Sequence, residues 1–271
     1  MKVSRAASIA TLAIMLTPGA VSAAVPPQEK SAPTALPSVE VRALREPVEK
    51  SYRRIVRGMD LFEQRRTLAP NASLRFKLLP RSRDTDMQGI ELNIVGDTVG
   101  VPVPVAADNT FALERSERAL KEDAVVVPNR QARSMTWRTD IRTPDLPPNT
   151  RRLGDLRLEC LVGIEAGLYS NVRPFFGFIA DMLRGRGYCE QREVHYLFFA
   201  ERPLFSVTLV AGDRREILSI DQLYAGISRD PMTAGDLEHC DCEVLLDRTY
   251  YAPLGDPSWP DDTLIELEYM E

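Results

Sequence analysis

Hydrophobic and polar positions alternate along Ser73–Leu79, where Leu74, Phe76 and Leu78 oppose Arg75 and Lys77. They alternate again along Gly89–Val95, where Ile90, Leu92 and Ile94 oppose Glu91 and Asn93. Period two over such lengths marks strands buried on one face. Val101–Val105 is extended too, but Pro102 and Pro104 cannot donate to a ladder, which places it at a sheet edge or outside the sheet. Further strands are expected at Thr110–Leu113, Ala124–Val127, Ser134–Thr139 and Leu156–Val162, the last because Leu156, Leu158, Cys160 and Val162 share a face at period two. A different period precedes them. Within Glu46–Leu68, Val48, Tyr52, Ile55, Val56, Met59 and Phe62 recur at three- and four-residue spacing, the stripe of an amphipathic helix. Pro47 suits its first turn and Pro70 its stop. Its arginines lie mostly off the stripe and read as a solvated face.

After Gly163 the pattern is mixed. Asn171 is placed to cap a helix with Pro174 near its start, and Phe175, Phe176, Phe178, Ile179 and Leu183 give it a buried face. Strands follow at Val194–Ala200, Leu204–Val210, Glu216–Ile220, Cys242–Tyr250 and Thr263–Tyr269, with Ala211–Arg214 as a hairpin turn. The whole reads as a strand-rich α+β chain. Residues 43–165 form an amphipathic helix plus a β-sandwich-like domain of immunoglobulin or transthyretin type, and residues 166–271 a smaller α+β domain.

The first residues change the picture of where the chain works. Lys2 and Arg5 precede the apolar run Ala6–Leu16, Pro18-Gly19 breaks it, and Val21-Ser22-Ala23 offers small residues for cleavage. Residues 1–23 thus read as a signal peptide, and residues 24–42, rich in Pro, Ala and Ser, as a disordered lead. A periplasmic or secreted destination follows, and no stretch has the roughly 20 apolar residues of a membrane span. Composition is ordinary for a globular protein, with 44% hydrophobic and 27% charged residues. A formal charge of −5 over 271 residues argues against a dedicated nucleic-acid binder, which needs a basic face.

Export permits disulfides, and the cysteines are four: Cys160, Cys189, Cys240 and Cys242. A bridge between Cys240 and Cys242 would close a small, strained ring. Cys160–Cys189 is the preferred pair, with Cys240 and Cys242 joined to each other or free.

Catalytic signatures are scarce: there is no nucleophile elbow, no H-E-x-x-H, no phosphate-cradling glycine loop, and His195 and His239 are the only histidines. His239, Cys240 and Cys242 form the densest set of soft ligands and would suit zinc or copper(I) if the thiols stay reduced. Asp84–Gly89 copies the start of a calcium loop, but Val95 stands at the twelfth position where a glutamate is required. Trp259, Asp261 and Asp262 precede the final strand in a turn that could serve recognition, and His195 lies in a strand pattern. No cofactor is implied. The expectation is therefore an exported, soluble envelope protein that binds a protein or small ligand without catalysis. The alternatives are a periplasmic hydrolase with an unrecognised site, and a metal-handling protein built on the His-Cys-x-Cys cluster.

Overall fold

The computed structural model describes residues 49–81, 84–131, 134–168, 187–192, 194, 196–226 and 245–271. All belong to the unit Ala43–Glu271. The first elements are β1 (Lys50–Ser51) and α1 (Tyr52–Gln64). The helix starts later than Pro47 would have it, because Lys50 and Ser51 pair with Val126 and Val125. Ser51 then caps it, its hydroxyl accepting from the Arg54 N–H at 3.4 Å. Tyr52, Ile55, Val56 and Phe62 are buried, as the stripe requires.

Next come β2 (Ser73–Pro80), β3 (Leu92–Val95), β4 (Gly100–Val103), β5 (Thr110–Phe111), the short α2 (Glu117–Lys121), β6 (Val125–Pro128) and β7 (Met135–Arg142). These make two antiparallel sheets, ordered β1-β6-β3-β4 and β5-β2-β7. The proline-bearing β4 is an edge, as Pro102 demands. Both sheets contribute to one hydrophobic cluster: Phe76, Leu78 and Trp137 from one, Leu92, Ile94 and Val126 from the other.

Beyond β7 the chain runs through β8 (Thr150–Arg152) into α3 (Leu153–Ala166). The strand expected at Leu156–Val162 is this helix, which corrects the alternation read there. Its apolar residues surround most of the axis because ten of its fourteen residues are buried, leaving only the Arg157–Leu161 face half-open. Leu153, Leu156 and Cys160 enter one cluster and Leu158 and Val162 another. Gly167 ends it in the left-handed conformation, with φ of 69°.

The remaining strands are β9 (Leu197–Phe199), β10 (Leu204–Ala211), β11 (Arg214–Ile217), β12 (Thr249–Tyr251) and β13 (Leu264–Tyr269). They form the antiparallel sheet β11-β10-β13-β8 and the ribbon β12-β9. The pairing Ala211↔Arg214 closes the expected hairpin. β8 pairs with β13 through Arg152↔Leu264, so residues on both sides of position 165 share a sheet. The molecule is thus strand-rich α+β, with several antiparallel sheets and, among the described residues, three α-helices. No helix among the described residues is long and apolar enough to cross a membrane. Cys160 and Cys189 form the disulfide. The helix expected after Asn171 lies outside the described residues.

Among the described residues no strand lies beside the outer edge of β7; α3 closes it with side chains. Glu159 accepts the Ile141 N–H at 2.7 Å, while Arg151 donates to the Ile141 carbonyl at 2.9 Å and to Glu159 at 2.5 Å. One turn earlier, Asp155 accepts from the Thr143 N–H and hydroxyl at 2.8 and 2.7 Å. The match is geometric. Four residues of helix advance about 6 Å and two residues of extended chain about 6.6 Å, so carboxylates at i and i+4 meet Ile141 of β7 and Thr143 just past its end.

Candidate functional site

A cleft of about 350 Å³ opens between the disulfide and the loop leading to β13. α3 supplies one wall: Arg157 and Leu161 stand four residues apart and line it together. Cys160, between them in sequence, does not line the cleft, but its disulfide partner Cys189 does. Leu68, Leu254, Pro257 and Pro260 add apolar surface, and Arg65 bridges to Glu190 at 3.0 Å.

Arg157 holds the loop in place. It donates to the Leu254 carbonyl at 2.8 Å, to the Asp256 and Trp259 carbonyls at 2.9 Å, and to the Asp261 carboxylate at 2.5 Å. A planar fork of donors can span these four acceptors; an ammonium cannot. The same loop reaches under Gln191, where a Cβ at Gly255 would collide with the Gln191 backbone.

Trp259 is only 2% exposed. The Arg214 guanidinium lies over its ring, 3.5 Å from the centre, and Arg214 also donates to the Ser258 hydroxyl at 3.1 Å. The indole therefore anchors the loop, and its cation-covered face is taken. Asp261 is engaged by Arg157, and Asp262 is exposed. Of the residues singled out by sequence, Trp259, Asp261 and Cys189 meet at this cleft. His195, His239, Cys240 and Cys242 lie outside the described residues. Among the described residues, no group of three or more His, Cys, Asp or Glu could hold a metal ion. Asp84–Gly89 is a loop whose Asp86 and Gln88 carbonyls both accept from Arg130.

Sequence reasoning missed Arg157, Leu161 and Leu254. Their only signal was Arg157 and Leu161 at helical spacing inside a segment that also alternates. It also missed a buried polar layer where β2 and β7 meet the segment leading into β9. There Arg151, Glu159 and Asp140 are all almost wholly inaccessible. Burial pushes the Glu159 carboxyl up to about 7, against the pull of Arg151. Burial also opposes ionisation of Asp140, but Arg142 and Arg151 hold it below the usual range. Tyr250, buried beside them, is pushed up to about 12.

Compared with known proteins, the chain matches no family model, no curated sequence and no solved structure.

Proposed function

We propose that this chain is an exported envelope protein that works by binding, and that the cleft beside Trp259 takes a small, largely apolar ligand. The cleft itself carries the reading. It falls within the size range of small-molecule sites, and it combines apolar walls with a few fixed polar groups. Its charged residues are already paired, Arg157 with Asp261 and Arg65 with Glu190. Such a surface favours apolar contact and shape over charge recognition. Two prolines and the disulfide stiffen the rim, which lowers the ordering cost of binding. In this reading the N-terminal pattern directs export and the disulfide fits an oxidising compartment. The two N-terminal sheets act as a β-sandwich-like frame.

A fluorinated fragment library screened by NMR against the exported protein tests the site. Aromatic and aliphatic fragments should bind, and Leu161→Trp, which fills the cleft, should abolish binding while the melting temperature holds. Fragments that bind equally well to Leu161→Trp would move the site elsewhere. N-terminal sequencing of the exported protein tests the compartment, with a start at Ala24 or Val25 expected.

A further inference from the structure

A second, smaller cavity of about 30 Å³ lies between β7 and the segment leading into β9. Arg138 of β7 lines it and is 5% exposed. Its guanidinium lies over the Phe199 ring, 4.8 Å from the centre, and 6.0 Å from the centre of Tyr196. The two rings cover the cation. None of its three nitrogens has a hydrogen-bond acceptor among the described residues. The Tyr196 hydroxyl is close enough to interact with the guanidinium, but it is neutral and supplies no counter-charge.

The other charges around the cavity are matched. Lys77 pairs with Glu201 at 2.8 Å, Arg142 with Asp140 at 2.8 Å and with Glu201 at 2.9 Å, and Arg151 with Glu159 at 2.5 Å. Among the described residues four cations thus meet three carboxylates, and Arg138 is the one left over. A buried guanidinium without a counter-charge is strongly disfavoured. Neutralising it by proton loss is closed to arginine.

We propose that this cavity is a binding site for one monovalent inorganic anion of halide size, held by the N–H groups of Arg138. The volume sets the class. A water needs about 10–15 Å³ by this measure, so the cavity admits one halide or about two waters and is too small for a five-atom oxyanion. The charge sets the sign, since the described cations of the layer outnumber its described carboxylates. The site is separate from the Trp259 cleft, shares no lining residue with it, and stands whether or not that cleft binds a ligand.

Crystals of the exported protein grown in sodium bromide should show an anomalous bromide peak within hydrogen-bonding reach of the Arg138 guanidinium. In solution, replacing sodium gluconate by sodium bromide at constant ionic strength should raise the melting temperature by a few degrees. Arg138→Met, which keeps an apolar contact with Phe199, should lose that rise. Only water in the cavity at high bromide, or no difference between bromide and gluconate in the wild type, would overturn the proposal. An equal bromide response in Arg138→Met would do the same. If that variant fails to fold, the two wild-type measurements still decide.

Discussion

Glu159 and Arg151 form a buried ion pair with an additional task. Replacing a buried pair by apolar residues is often neutral or stabilising, because the desolvation cost of both charges disappears. Here the pair also satisfies the N–H and carbonyl of Ile141. Glu159→Ala should cost about 3–5 kcal/mol, since it strands Arg151. The double change Glu159→Leu with Arg151→Met should still cost on the order of 1–3 kcal/mol for each backbone group left without a partner. Urea denaturation of the three proteins checks both, and a neutral double variant would refute the edge-closing role. The same carboxyl sets a pH signature. With its folded value pushed up to about 7, the folded chain keeps a proton that the unfolded chain has already released. Stability from Glu159 is therefore full below the ordinary glutamate range and declines as pH rises towards 7. Asp140, held low, acts in the opposite sense: its contribution is present above the ordinary aspartate range and lost as pH falls through its lowered value. Denaturation midpoints should fall between about pH 4.5 and 7 in the wild type. That fall should vanish in Glu159→Gln.

At the scale of elements, what the sequence made legible follows from how each element is buried. β2, β10 and β13 carry one buried face, so period two survives in their residues, and their bounds were expected within a residue or two. α1 is half-buried and shows its stripe. α3 is buried around most of its axis, and its half-open face carries Leu161 and Ile164 as well as Arg157, so no polar stripe stands out and Leu156, Leu158, Cys160 and Val162 imitate a strand. Arg138 was hidden for the complementary reason. It sits on the polar side of β7, which a local pattern assigns to water, and the rings of the distant segment at Tyr196–Phe199 cover it. The cleft was half legible: Trp259 and Asp261 stood out as loop residues, whereas Arg157 was absorbed into the false strand. Two predictions belong here. Reducing Cys160–Cys189, which closes a loop with a sequence separation of 29, should cost about 3–4 kcal/mol, read as a shift in urea midpoint with and without reductant. Arg157→Lys should release the loop carrying Trp259. Its cost should be about 2–4 kcal/mol, and hydrogen exchange should speed up selectively over residues 254–261.

At the scale of the whole molecule, α3 and β8 tie the early and late parts of the described chain together. α3 feeds clusters on both sides, and β8 completes a sheet whose other strands come from beyond residue 200. The described residues should therefore melt in one transition, with calorimetric and van't Hoff enthalpies agreeing; two separable transitions would show independent units split near residue 165. The position of β13 has a consequence for the order of events during folding. β13 lies between β10 and β8, and β8 has no other partner in its sheet. The β7 edge and α3 meet across a short stretch of chain and can form early, but β8 must wait until most of the second half has been made. Until then Thr150–Arg152 presents an unpaired edge to whatever else is nearby. A nascent chain stalled before Leu264 should therefore hold its first sheets, lack protection at β8, and be the form most prone to pair with a neighbour of its own kind.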